Sequence, residues 1–145
     1  MKNADCYALF TATIGGGFDE YCRRYKEADD MVGTLIIDAL GSVLAESVVE
    51  VLVKTLSNEA ENKGLHISNN YSPGYCDWKL SDQKKLFSLL SADQTGITLT
   101  DSCLMLPVKS VSGIIAVGAS VKKRPYGCAI CKMTSCIKNQ KKKTT

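Results

Sequence analysis

Apolar and polar residues alternate at two different spacings along this chain, and these spacings predict a mixture of strands and helices. Cys6 to Thr13 is rich in aromatic and β-prone residues and ends at three glycines, which is typical of a strand. Ile97 to Met105 alternates apolar and polar residues, as a half-buried strand does. Val111 to Val121 is predicted as a further strand, and Tyr126 to Cys131 could return beside it in a hairpin.

Two segments near the start have the apolar spacing of helices. Phe18 to Lys26 is predicted as a short helix. A long helix is predicted from Met31 to Asn62, with Asp29 or Asp30 as its N-cap and Gly64 as its stop. The apolar positions predicted to form the core-facing side of the long helix are Leu35, Ile36, Leu40, Val43, Leu44, Val48 and Leu52.

A turn and a third helix follow. Pro73-Gly74 suits a type II turn, which leaves backbone polar groups open and points Tyr75 outward. An adenosine-bearing ligand needs such backbone groups and an aromatic side chain; the alternative is a plain surface turn with Tyr75 in the core. Ser81 is predicted to cap a helix that runs to Ser91. Its inward-facing residues are predicted to be Leu86, Phe87, Leu89 and Leu90.

The start of the strand after Pro107 combines small polar residues with a glycine. Gly113 inside a strand pattern indicates a bulge or a close approach by a ligand or by backbone. The hydroxyls of Ser110 and Ser112 could bind a ligand carboxylate or a corrinoid amide, or they could satisfy an edge strand.

The charge distribution divides the chain in two. The chain has 145 residues, 45% of them apolar and 23% charged, which suits one globular domain with its own core. Eight of its 18 basic residues, and none of its 15 acidic residues, follow Val121. The Lys-rich tail at residues 132–145 has no interleaved aromatic residues and no recognised binding fold, so nucleic acid is not expected as a partner. Acidic residues interrupt the apolar stretch from Met31 to Val53, so no membrane insertion is expected.

The cysteines allow a metal site near the C-terminal end. Seven is an odd number, and no secretory signal is evident, so reduced thiols in a cytoplasm are expected. Cys128, Cys131 and Cys136 have C-x2-C-x4-C spacing, which could hold a metal ion or an Fe–S cluster. A fourth ligand could come from Cys76 or Cys103. The alternative is a set of small apolar residues on a last strand.

Several motifs occur in an order that resembles one known family. A Pro-containing turn followed by Gly-Tyr occupies residues 73–75, and the third helix follows it. The strand motif Gly-Ile-Thr-Leu-Thr-Asp-Ser occupies 96–102, and Met-x-Pro-x-x-Ser-Val-Ser-Gly occupies 105–113. Upstream, Ala-Glu-Ser-Val-Val-Glu occupies 45–50 of the long helix. Together these motifs resemble the reactivation domain of cobalamin-dependent methionine synthase, in its short free-standing form.

The resemblance implies an α+β fold, in which one domain has an antiparallel β-sheet flanked by helices, including one long core helix. It implies a module that binds S-adenosylmethionine and supports the reductive remethylation of a corrinoid, rather than a self-sufficient enzyme. The cobalamin would be carried by a partner, either a methionine synthase or a related corrinoid methyltransferase. A flavodoxin- or ferredoxin-type reductase is a further partner that the resemblance suggests.

The same resemblance carries ligand-binding positions to this chain. Glu46 lines up with an acidic residue of the S-adenosylmethionine site, although a solvent-facing helix position is the alternative. Gly74 and Tyr75 match the end of the family motif Arg-x-x-x-Gly-Tyr, and Tyr126 matches a tyrosine that contacts the ligand. The implied binding residues are Glu46, Gly74, Tyr75, Ser110, Ser112, Gly113 and Tyr126.

The chain departs from the family pattern at two places. Asn70 stands where the family motif has the arginine that would bind a carboxylate bidentately. An acidic residue near the family domain's start has no counterpart. We therefore expect residues 1–131 to form an activation-domain-like unit without the family's N-terminal part, and residues 132–145 to form a flexible Cys- and Lys-rich tail. Two other hypotheses stay open: a metal or Fe–S redox module centred on the cysteines, and a non-catalytic, truncated interaction domain.

Overall fold

The computed structural model describes residues 4–75, 78–90 and 96–125. Along the chain these residues form β1 (Cys6–Thr13), α1 (Gly16–Glu27), α2 (Met31–Glu61), β2 (His66–Ile67), a 3-10 turn (Leu80–Asp82), α3 (Gln83–Leu89), β3 (Thr98–Leu99), β4 (Met105–Leu106) and β5 (Ser110–Gly118). In this part of the chain, no helix has the length and apolar character needed to span a bilayer.

The main sheet is antiparallel, with β5 at its centre. Its strand order is β1-β5-β2, and the β1–β5 register runs from Cys6 opposite Val117 to Thr13 opposite Ser110. A separate hairpin pairs β3 with β4. Helix α2 packs on the main sheet around Phe10, Val49 and Ile115. The predicted α+β fold, with an antiparallel sheet and one long helix, is therefore confirmed.

Both predicted ends of α2 are confirmed. The side chain of Asp30 accepts a hydrogen bond from the backbone N–H of Gly33 at 2.8 Å, which is the N-cap geometry. At the other end, Gly64 adopts a φ of +68°, a left-handed conformation that glycine takes without a steric cost. Asp is a common N-cap residue and Gly a common residue at helix C-terminal ends, so both limits of α2 could be predicted from the sequence.

The predicted core-facing side of α2 is wrong. The buried residues of the helix are Ile37, Gly41, Ala45, Val49 and Ala60. Of the predicted set, only Leu52 packs against the core. The others are 39–71% exposed: Leu35, Ile36, Leu40, Val43, Leu44 and Val48. The reason is steric, because a Cβ at Gly41 would collide with the ring of Phe18 and press on the side chain of Lys109.

The predicted strand from Ile97 to Met105 is also wrong, because a turn breaks it into β3 and β4. The hydroxyl of Thr100 accepts a hydrogen bond from the N–H of Leu104 at 3.0 Å, and the backbone N–H of Thr100 donates to the Leu104 carbonyl at 2.9 Å. Cys103 closes the turn with a φ of +65°. The strand therefore ends here, because the Thr100 side chain forms a local hydrogen bond with backbone that would otherwise be available for strand pairing.

Helix α3 begins later than predicted. It starts at Gln83, after the 3-10 turn, so Ser81 is not its cap. Leu86 is buried as predicted, whereas Leu89 is exposed, so that part of the predicted inner face is wrong. Gln83 is buried instead, and it connects α3 to the sheet as described below.

Candidate functional site

Five separate segments of the fold meet at one groove of about 340 Å³. Helix α2 forms one side. The turn at residues 72–75, Leu80 and Gln83 at the start of α3, the β3–β4 hairpin and the start of β5 complete it. Among the predicted binding residues, the structure brings together Glu46, Tyr75, Ser110 and Ser112 at this groove. Its volume lies at the lower end of the range that small-molecule sites occupy, roughly 300–1,000 Å³.

The predicted type II turn is confirmed. The carbonyl of Ser72 accepts a hydrogen bond from the N–H of Tyr75 at 3.3 Å, and Gly74 between them has a φ of +92°. The N–H of Gly74 donates to the carbonyl of Trp78 at 2.8 Å, which fixes the turn from its other side. Tyr75 is 60% exposed, so the alternative of a core tyrosine is wrong. Tyr75 lines the groove.

The two serines at the start of β5 differ in their hydrogen bonds. The hydroxyl of Ser110 donates to the carbonyl of Pro107 at 2.6 Å. The hydroxyl of Ser112 accepts from the side-chain amide of Gln83 at 3.3 Å, and both residues are only 2% exposed. At Ser110 and Ser112, β5 pairs with β1 on one side, whereas pairing on its other side begins only at Ile114. Within the described residues this end of β5 is therefore an edge, which agrees with the alternative of hydroxyls on an edge strand. Both oxygens keep lone pairs that can accept a further hydrogen bond.

Gly113 lies outside the groove and allows a close approach of backbone. A Cβ at this position would lie 2.6 Å from the carbonyl oxygen of Tyr71 and 2.8 Å from the ring of Phe10. Tyr71 forms a β-bridge with Ile114, through backbone hydrogen bonds of 2.8 and 2.9 Å. Gly113 therefore lets the segment before the Ser72–Tyr75 turn lie against β5.

Glu46 is exposed on α2 next to buried Ala45, and it borders two clefts. One is the groove described above. The other is a neighbouring cleft that Asn70 also lines, together with Lys54 and Lys123. A carboxylate at this shared wall can attract a ligand cation in either cleft. Asn70 itself does not line the groove that holds Tyr75 and the two serines.

Sequence reasoning missed Lys109 as a groove residue. Among the groove residues that the structure describes, it is the only basic one. Its side chain is 11% exposed, and its Nζ atom donates to Asp38 at 2.8 Å and to the Ser42 hydroxyl at 3.0 Å. An ammonium group has three donors, so one is left for a ligand anion. The position of Lys109 inside the motif at residues 105–113, two residues after Pro107, could have indicated that it belongs to the groove.

Gln83 was missed as well. The available signal was its helical spacing, because it lies three and four positions before Leu86 and Phe87, on the side of the helix predicted to face inward. Its helix begins beside Asp82, whose carboxylate binds the Nζ atom of Lys85 at 2.9 Å. The hydrogen bond from Lys85 lowers the pKa of Asp82 below its ordinary value, with further help from the positive charge. This ion pair stabilises the first turn of α3, from which Gln83 reaches Ser112.

The predicted metal site and one predicted ligand contact lie outside the described residues. This concerns Cys128, Cys131 and Cys136, the tyrosine at position 126, and also Cys76 as a candidate fourth ligand. Cys103, the other candidate, lines the groove beside Leu104. Within residues 4–75, 78–90 and 96–125, no three metal-binding side chains cluster. The metal site, the contact of Tyr126 and the predicted tail at residues 132–145 stay predictions.

Two comparisons with known proteins bear on this groove. A family model described as the activation domain of vitamin B12 dependent methionine synthase matches residues 1–143. A solved structure, the crystal structure of the MetH reactivation domain bound to AdoHcy, matches this chain with a TM-score of 0.62 and 27% sequence identity. The match covers 80% of this chain and 40% of that chain, so the present chain spans less than half of the length of its structural relative.

Proposed function

The chain belongs to the activation-domain family of vitamin B12 dependent methionine synthase, and from this premise we propose that its groove binds S-adenosylmethionine. In this proposal the protein presents the ligand's methyl group to a corrinoid held by a partner protein, a methionine synthase or a related corrinoid methyltransferase. One observation carries the proposal: five segments of the chain converge on the groove, and three of them supply Glu46, Tyr75, Ser110 and Ser112. The structural relative was solved with AdoHcy, the demethylated form of the same ligand.

The groove offers a chemically suitable partner for each part of S-adenosylmethionine. The exposed ring of Tyr75 can stack on the adenine, as aromatic faces commonly do. The carboxylate of Glu46 can lie near the positively charged sulfonium or ammonium group. The free lone pairs of Ser110 and Ser112 can accept hydrogen bonds from the ligand's ammonium or hydroxyl groups.

Lys109 is proposed to replace the absent arginine as the partner of the ligand carboxylate. Asn70 stands at the family's arginine position and lies in the neighbouring cleft, away from the groove serines. Lys109 lines the groove itself, and its ion pair with Asp38 holds its ammonium group in place at 2.8 Å. A lysine contacts a carboxylate as a point charge rather than as a fork, so we expect it to bind less specifically than arginine would.

The protein's contribution in this proposal is positioning. Holding a methyl donor in line with its acceptor replaces an encounter between two separate molecules by a reaction within one complex. The corrinoid of the partner, once reduced, supplies the nucleophile that takes the methyl group from sulfur. Reduction requires electrons from a further partner, for which a flavodoxin- or ferredoxin-type protein is proposed.

A methyl-transfer assay tests this function. A corrinoid protein in its oxidised state is incubated with a reductant and S-adenosylmethionine labelled in its methyl group, with and without the purified chain. We expect the label to enter the corrinoid only when the chain is present, and a Tyr75→Ala variant to transfer less label. Leu89→Ala, an exposed apolar residue on α3 outside the groove, is the matched control. Equal labelling with and without the chain would refute the proposal.

A further inference from the structure

Helix α2 has an apolar side that faces solvent, and no property of the ligand groove explains it. Six residues define this outer face: Val32, Leu35, Ile36, Leu40, Val43 and Val51. They are 45–71% exposed. At 100° per residue they occupy less than half of the helix circumference. The face therefore lies opposite the buried stripe of Gly41 and Ala45.

The six apolar residues of this face are grouped on one side of one helix rather than scattered over the surface. Each of them is between 45% and 71% exposed. Exposed apolar residues that are grouped in this way mark interaction sites, whereas single ones are ordinary. The N-terminal part of the face has no charge of its own: from Met31 to Ala45 the only charged residue is Asp38, which pairs with Lys109 at 2.8 Å. Glu46 and Glu50 flank its C-terminal part.

We propose that a second copy of this chain covers the outer face, so that two α2 helices pair in an antiparallel homodimer. A two-fold axis makes one patch complementary to itself, so a single apolar stripe is enough to form both halves of the interface. The face runs from Val32 to Val51 and extends about 30 Å at 1.5 Å per residue. That length suits helix pairs that cross at a shallow angle of about 20°. The proposed dimer does not depend on whether the groove binds S-adenosylmethionine.

The charges at the two ends of the face determine the antiparallel direction. Lys54 lies about twelve residues after the midpoint of the face, and Asp29 lies about twelve residues before it. In an antiparallel pair, Lys54 of each copy therefore lies opposite Asp29 of the other. Among the described residues Lys54 has no ion pair of its own. In a parallel pair, Lys54 and Glu50 would each face the same charge in the other copy, which is unfavourable.

The mass of the purified full chain in solution tests the proposal, by sedimentation or by light scattering after size exclusion. We expect a dimer, and we expect Val43→Glu at the centre of the face to be monomeric with unchanged helix content by circular dichroism. Leu89→Glu is the matched control, because it places the same charge at an exposed leucine of α3, and it should stay dimeric. A monomeric wild-type chain, or one found only in complex with a different protein, overturns the proposal. A dimer that survives Val43→Glu overturns it too.

A second pair of variants tests the direction of the helices without touching the apolar residues. Lys54→Glu brings like charges together and should raise the dimer dissociation constant about tenfold. Adding Asp29→Asn removes that repulsion and should recover most of the loss; asparagine suits the φ of +54° at this position. If the double variant dimerises no better than Lys54→Glu alone, the antiparallel arrangement is wrong.

Discussion

The side-chain amide of Gln83 donates a hydrogen bond to the hydroxyl of Ser112 at 3.3 Å, across 29 positions of sequence and within the protein interior. This bond ties the start of α3 to the central strand of the sheet, at the wall of the groove. Removing one partner leaves the other buried and unsatisfied, whereas removing both leaves an apolar contact.

A double-mutant cycle on this pair should therefore be strongly non-additive. We expect Gln83→Leu and Ser112→Ala each to lower the free energy of unfolding by about 1–3 kcal/mol. The double variant should lose clearly less than the sum of the two. Urea unfolding followed by circular dichroism measures all four proteins. Additive losses would show that the two side chains do not depend on each other.

The close approach at Gly113 predicts a steric penalty. Gly113→Ala places a methyl group against the carbonyl of Tyr71 and the ring of Phe10, so we expect it to lower the free energy of unfolding by about 1–3 kcal/mol. Gly17→Ala is the matched control, because a Cβ at Gly17 meets no atom within 4 Å and the residue lies in α1. That substitution should be neutral or stabilise the helix. Equal effects of the two would contradict the packing described for Gly113.

The ion pair at the start of α3 predicts a dependence on pH. Because Lys85 lowers the pKa of Asp82, this carboxylate stabilises the folded state above its unfolded pKa. That stabilisation is lost as the pH falls through the lower, folded-state pKa. The effect should be small, since the pair is largely at the surface. A carboxyl titration by NMR should place Asp82 below the ordinary aspartate value and return it there in Lys85→Met. An unshifted Asp82 in the wild-type chain would contradict the ion pair.

The proposed role of Lys109 predicts discrimination between two ligands. Lys109→Met should weaken the binding of S-adenosylmethionine about tenfold, because it removes the partner of the ligand carboxylate. The binding of 5′-methylthioadenosine, which has no carboxylate, should be nearly unchanged. Lys84→Met, at an exposed lysine of α3 outside the groove, is the control, and calorimetry measures each pair. Equal weakening of both ligands would mean that Lys109 shapes the groove without contacting the carboxylate.

The elements that sequence predicted correctly are those set by local chemistry. Asp30 and Gly64 mark the ends of α2, and Pro73-Gly74 forms the expected turn. The inner face of α2 could not be predicted, because small residues such as Gly41 are buried by tertiary contacts rather than by their own hydrophobicity. The large apolar residues of that helix were assigned to the core because of their hydrophobicity, although they face solvent.

The groove was predictable only in part. The family motifs contained Glu46, Tyr75, Ser110 and Ser112, and these four do meet. Lys109 and Gln83 were not predicted, because their positions depend on how α2 and α3 lie against β5. Gly113 belongs to the same motif, yet its nearest neighbours are Phe10 and Tyr71 rather than the groove.

The most direct test of the central claim is calorimetric titration of the purified chain with S-adenosylmethionine. We predict saturable binding to one site per chain, weakened about tenfold or more in Glu46→Gln. Glu59→Gln, at an exposed position of the same helix outside the groove, should bind as the wild type does. Absence of binding by the wild-type chain, or equal affinity of wild type and Glu46→Gln, would contradict the claim that this groove is an S-adenosylmethionine site.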